Sequence, residues 1–348
     1  VLDNIDDEFL VKFNRRHKSD LASVNQLIVS DTKINQVNVL ISTLNKFQYI
    51  YELRLEGVYM NELNSKTQMK VNLPNLQVVK FFYCTNELLS MFTNLVNQLK
   101  VFKVCLIQHN DLLPRGDSHD TVLTIIRNNS QSLDKLNLFE INFDDTFLEK
   151  ISTQSLSLRS FSMSFCYQTT YYFSSTIGFK KFIRSQALTL EKFKIRTFDH
   201  INQTHLNILT NLAVNLKHLN IIICPHCEWN ELILNKLKKL EKLKIESKNF
   251  CSRGGATLNK FMEKFMSNRF LTVKYLSITG EFYINDEIIS QIITSLPNLK
   301  ILKLQYALNV QSKHVSMLRD KLKSLKKIEL NFCEFLDNRK TIFCDMKN

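Results

Sequence analysis

The sequence predicts a repeat solenoid, and three observations carry that prediction. A six-residue phrase, apolar-x-x-apolar-x-apolar, is written twelve times between Val24 and Leu330. Successive phrases begin 26, 26, 23, 34, 25, 32, 26, 24, 33, 26 and 26 residues apart, so five of eleven steps are identical and the longer ones read as loop insertions. Stretches between phrases place apolar residues at helical spacing. A unit of this size cannot bury its own apolar side, whereas stacked units make a continuous core with contacts only between neighbours. Function is therefore expected on a surface.

In chain order the phrases are Val24-x-x-Leu27-x-Val29, Ile50-x-x-Leu53-x-Leu55, Leu76-x-x-Val79-x-Phe81, Leu99-x-x-Phe102-x-Val104, Leu133-x-x-Leu136-x-Leu138 and Leu158-x-x-Phe161-x-Met163. There follow Leu190-x-x-Phe193-x-Ile195, Leu216-x-x-Leu219-x-Ile221, Leu240-x-x-Leu243-x-Ile245, Val273-x-x-Leu276-x-Ile278, Leu299-x-x-Leu302-x-Leu304 and Leu325-x-x-Ile328-x-Leu330. Helical spacing is visible from Asn202 to Leu216, Ala256 to Phe270, Ile284 to Leu296, behind an Asn-Asp start, and Val310 to Leu325. Pro74 and Pro297 each stand two residues before a phrase, where proline ends a helix and favours an extended chain.

With 44% hydrophobic and 23% charged residues and only 6 Gly and 4 Pro in 348, the chain belongs with folded globular proteins. Residues 24–348 read as one repeat domain, and 1–23 as an N-terminal cap or the remnant of an upstream module. No apolar stretch approaches the roughly 18 residues that span a bilayer. The sequence opens on Val1 with no initiator Met or leader, as a fragment or processed product would. The formal charge of +13 favours acidic partners.

Of eight cysteines, Cys84, Cys166, Cys224 and Cys333 each lie eight residues after the first residue of a phrase. Val58, Ile107, Ile141 and Ala307 fill the same slot elsewhere, so the slot calls for a small buried side chain and the thiols read as structural. Cys224-Pro-His-Cys227 is the one candidate chelator. Its only further partners are His218 and Cys251, besides His226 inside the motif, with no second pair at zinc-finger spacing. No metal or cofactor is expected.

Leu216-Lys-His-Leu-Asn-Ile-Ile-Ile-Cys224 and Leu325-Lys-Lys-Ile-Glu-Leu-Asn-Phe-Cys333 resemble the leucine-rich-repeat proteins, specifically the cysteine-containing, ribonuclease-inhibitor-like subclass found in F-box/leucine-rich-repeat proteins. The resemblance runs from about Val24 to Cys333. It implies a right-handed α/β horseshoe of about twelve repeats, with parallel strands lining a concave face and helices on the convex face. No F-box module is recognisable in residues 1–23, so an F-box would have to precede Val1, and a Skp-type adaptor is the partner it would dock.

Nothing supports an enzyme. Gly-x-Ser-x-Gly, phosphate-cradling glycine loops and His-Glu-x-x-His are absent. The Gly254-Gly255 pair reads as an inter-repeat loop, and Asp6-Asp7 and Asp144-Asp145 as helix starts or solvated turns. Asn128 and Asn202 open Asn-x-Ser/Thr triplets, which matter only in a secreted protein.

Strand alternation assigns the faces. Phrase positions one, four and six point inward, so three, five and usually seven point out. This yields a partner-binding set of Lys192, Lys194, Arg196, His218, Lys242, Lys244, Lys303 and Lys327, with Tyr306 just beyond its strand. Lys80 and Phe82 join them, beside Lys103, Lys135, Phe139 and the second phrase's Glu52, Arg54 and Glu56. Cations for steering and aromatic groups for burial suit protein recognition. The expected partner is an acidic protein. Nucleic acid ranks below it because Lys rather than Arg dominates the face, and a membrane partner is not expected. The reading is a non-catalytic scaffold of the cytoplasm or nucleus. Its most concrete form is the substrate-binding domain of an F-box-type ubiquitin ligase receptor, and the alternative is a scaffold subunit of a larger assembly, ribonucleoproteins included.

Overall fold

The computed structural model describes residues 1–16, 21, 23–60, 71–106, 117–139, 145–164, 176–196, 203–223, 236–247, 254–267, 269–333 and 342–345. The chain divides into two compact units, Val1–Cys166 and Tyr167–Asn348. The first contains β1 (Leu2–Asp3), α1 (Asp7–Arg16), β2 (Gln26–Ile34), α2 (Val37–Leu44), β3 (Glu52–Met60), β4 (Val78–Cys84), α3 (Asn86–Ser90), β5 (Val101–Leu106), α4 (Asp117–Asn128), β6 (Lys135–Phe139), α5 (Asp145–Ser152) and β7 (Ser160–Ser164). The second contains α6 (Ile177–Ser185), β8 (Lys192–Arg196), α7 (Gln203–Leu212), β9 (His218–Ile223), β10 (Lys242–Ser247), α8 (Gly254–Met266), β11 (Tyr275–Tyr283), α9 (Asp286–Ser295), β12 (Ile301–Leu308), α10 (Ser312–Lys321), β13 (Lys327–Asn331) and β14 (Ile342–Asp345).

Each phrase enters a strand two residues after its first apolar residue, from Gln26 after Val24 to Lys327 after Leu325. Within each unit every strand pairs with the next in chain order. The pairing is parallel from β1 to β7 and from β8 to β13. Parallel neighbours require a crossover connection, and helices are described in each one within a unit except those from β3 to β4 and from β9 to β10, parts of which lie outside the described residues. The fold is α/β. The exception is β14, which pairs antiparallel with β13 and covers its edge.

Every apolar phrase residue is buried except Val24, which is half-buried. Helices close the other side with residues three and four apart, such as Phe179, Phe182 and Ile183 of α6 and Ile288, Ile289 and Ile292 of α9. In the first unit Phe81 meets Phe92 edge-on at 5.1 Å and Phe102 at 6.2 Å between ring centroids. Phe179 packs on Phe193 and His205 in the second. The residue just before a phrase often bonds back to the preceding repeat. Asn75, Asn215 and Asn298 donate side-chain N–H groups to the carbonyls of Gln48, Leu188 and Leu271 at 2.8–2.9 Å. The four expected helices are α7, α8, α9 and α10, and Asn285 caps α9 by accepting the Ile288 N–H at 2.8 Å.

Two expectations need correction. Gly254 and Gly255 open α8 instead of forming a loop, because Leu258, Met262 and Met266 bury one face at four-residue spacing and so override local glycine preference. Tyr306 lies within β12, not beyond it, because a bulge lets the strand resume pairing with β11 at Ala307 and Leu308, past the phrase. The eighth phrase position has positive φ in six repeats: Asp31 (47°), Gly57 (60°), Tyr83 (56°), Gly280 (142°), Tyr306 (62°) and, just past β13, Phe332 (52°). This left-handed residue breaks the two-residue alternation, so the next side chain turns inward. Thr32, Val58, Cys84, Ala307 and Cys333 accordingly fill one buried slot. In β11 one added residue, Glu281, places Phe282 opposite Ala307 in that slot.

Candidate functional site

The open strand face of the second unit is built from two lateral rows. In the first, Lys192 of β8, His218 of β9, Lys242 of β10 and Tyr275 of β11 are register partners. In the second, Lys194, Asn220, Lys244, Ser277, Lys303 and Glu329 succeed one another from β8 to β13. Strands are about 4.8 Å apart, so Lys192 and Lys242 stand roughly 10 Å from each other with the imidazole between them. Burial, and then the charges of Lys192 and Lys242, holds His218 below its ordinary pKa of 6.5. Lys242 is likewise lowered, by burial first and by Lys244 and Lys192 next. Lysines on this face therefore act on one another.

Tyr275 is a site residue that the sequence reading missed, although it occupies the third phrase position. Lys242 Nζ lies 4.4 Å from its ring centroid and Lys244 Nζ 5.9 Å away, within cation–π range. At the far side of the unit the pattern changes. Glu329 brings Lys303 and Lys327 together at 3.2 and 2.9 Å, and hydrogen bonding from Lys327, then Lys303, lowers its carboxyl pKa. Two of the expected cations thus share one carboxylate. Tyr306, 45% exposed, stacks on Phe332, 66% exposed, with centroids 5.4 Å apart and planes 13° apart. Phe332 was also missed; its signal was its place just before Cys333. Arg196 ends β8, and its side chain is outside the described set.

The first unit arranges similar residues differently. Arg54, Lys80 and Lys103 are register partners on β3, β4 and β5. Arg54 pairs with Glu56 and Lys80 with Glu52. Phe82 receives Arg54 at 4.9 Å and Lys103 at 4.4 Å, and Lys103 also lies 5.0 Å from the Phe139 centroid. Lys135 stands exposed at the start of β6.

The remaining candidates have structural roles where they are described. Cys84 and Cys333 are buried free thiols, 3.3 Å from the Leu55 carbonyl and 3.6 Å from that of Leu304. Burial pushes the Cys84 thiol up to about 12 and raises that of Cys333. Such thiols are poor nucleophiles. Asp6 accepts the Phe9 N–H, and Asp7 accepts those of Asn35 and Gln36, so both serve helix starts. Asp145 opens α5. Asn128 ends α4 and donates its amide to the Thr93 carbonyl. Cys166, Cys224, His226, Cys227, Cys251, Asn202 and Asp144 lie outside the described residues. Among the described residues no group of three His, Cys, Asp or Glu could hold a metal, and no helix is long and apolar enough to cross a membrane. No protein-family model matches this chain, and none of the curated proteins compared with it matches.

Proposed function

We propose that this chain is a non-catalytic recognition scaffold that holds an acidic protein segment on the strand face of its second unit. The observation that carries this reading is the pair of in-register rows containing Lys192, Lys194, His218, Lys242 and Lys244. Repulsion among these lysines, which contributes to the lowered Lys242 pKa, costs stability that the stacking core does not require. An arriving row of carboxylates reverses that cost and is steered by the same field. Reversal of Lys192, Lys194, Lys242 and Lys244 to Glu should weaken capture of an acidic protein about tenfold or more and flatten its salt dependence. Unchanged capture would exclude this face.

The more concrete role is that of a leucine-rich-repeat substrate receptor of an F-box-type ubiquitin ligase. Strand–helix alternation and the buried cysteine slot of Cys84 and Cys333 support it. Affinity purification of the full-length gene product tests it: a Skp-type adaptor should co-purify stoichiometrically, and its absence removes that role. A second reading, a scaffold subunit of a ribonucleoprotein, is favoured by the formal charge of +13. It requires that RNA compete with acidic protein for the same lysines, with a steep salt dependence.

A further inference from the structure

We propose that the strand face of the first unit carries a carboxylate-binding site of its own, centred on Lys103; it rests on the same view of the strand faces as recognition surfaces. The three cations Arg54, Lys80 and Lys103 stand side by side on successive strands. Two are answered from within, Arg54 by Glu56 and Lys80 by Glu52. Among the described residues Lys103 forms no ion pair. It is held instead between two rings on the strands to either side, Phe82 of β4 and Phe139 of β6, at 4.4 and 5.0 Å.

Rings attract a cation without neutralising it, so the Lys103 ammonium keeps its charge and N–H donors for a further acceptor. The rings also shield its flanks from water, which strengthens any charge pair formed there. Burial, followed by repulsion from Lys80, lowers the Lys103 pKa, as expected of a cation that lacks its counter-charge. Asn137, its register partner on β6, lies half-buried beside it as a second polar contact.

Charge balance selects the ligand. Three cations and the two carboxylates of Glu52 and Glu56 leave a single positive charge. One Asp or Glu side chain of an acidic segment cancels it. A phosphate monoester carries nearly two negative charges and would be repelled by Glu52 and Glu56.

The test uses the whole chain with its lysines reductively dimethylated with carbon-13, which keeps their charge. The Lys103 signal is identified by its loss in Lys103→Arg. Titration with a short oligo-glutamate peptide should shift that signal and raise the Lys103 pKa, and in the chain with Lys192, Lys194, Lys242 and Lys244 reversed to Glu, Lys103→Met should weaken peptide binding about tenfold. The site is refuted if the signal stays still or if, in that reversed background, Lys103→Met binds the peptide as its Lys103 parent does. An equal or larger shift with inorganic phosphate or single-stranded DNA at matched ionic strength overturns the carboxylate assignment. Repeating the titration with Lys192, Lys194, Lys242 and Lys244 reversed separates the two proposals. A Lys103 shift that survives there supports this site even if the second-unit patch fails, and its loss there counts against it.

Discussion

The two strand faces occupy equivalent phrase positions yet handle charge in opposite ways. In the first unit Glu52 and Glu56 sit among Arg54 and Lys80, and the rings of Phe82 and Phe139 flank the remaining cation. In the second, Glu329 binds Lys303 and Lys327 on β12 and β13, whereas the β8–β10 rows place lysines beside one another and depress His218. The cores beneath use the same apolar phrase in both units. Stacking is therefore indifferent to how the open face is charged, and β8–β10 is where the proposed acidic partner would be held.

The largest effect that would sharpen this comparison concerns the cores. Phe81→Ala should cost about 3–5 kcal/mol, because it removes a fully buried ring packed against Phe92 and Phe102. Hydrogen exchange should show protection lost first in β3 to β5; uniform loss over both units would break the picture of neighbour-only stacking. Next comes the bulge. Gly280→Ala should cost about 1–3 kcal/mol in a urea melt, since φ is 142° and the new Cβ would meet the Ser247 carbonyl at 2.8 Å. Gly57→Ala should cost less, because its obstacle is the movable Asp31 carboxylate.

Cys84 and Cys333 offer a matched pair, one per unit. Their folded-state pKa values are raised, so the unfolded chain loses these protons first as pH climbs. Stability should fall from about pH 9 toward pH 12, and Cys84→Ala should flatten that loss. Both thiols should resist alkylation in native protein at neutral pH. The smallest effect is electrostatic. With its folded pKa below 6.5, His218 lowers stability as pH falls through 6.5, because the unfolded chain binds the proton more readily. Replacing Lys192 and Lys242 with Gln should move the imidazole titration upward in an NMR experiment. No movement would separate His218 from the lysine rows.

Much of the fold was legible because burial repeats: the phrase alone placed the strands β2 to β13. What the phrase could not reveal lay outside it or between chain-distant residues. β1 and β14 pair without completing a phrase, and of α1 to α6 only α1 and α5 had a start signal, the acidic pairs Asp6-Asp7 and Asp144-Asp145. The positive-φ eighth position was hidden because Asp31, Gly57, Tyr83, Gly280, Tyr306 and Phe332 share a positive φ but no single side-chain type. On the open face the lysines could be named from alternation. That Glu329 joins Lys303 to Lys327, that Phe332 stacks on Tyr306 and that Tyr275 lies beside Lys242 depends on which strands are neighbours. Single-strand patterns do not encode that.

The bulge at the eighth position has a consequence for how such a protein can change. By turning one residue back toward the core, it lets a short strand anchor itself at four points while most of the side chains between them, such as Lys80, Lys192, Lys242 and Lys303, stay at least partly open to solvent. Exchanges at the exposed sites among them change the open face and spare the frame, so under the proposed function a handful of surface replacements would be enough to change the partner.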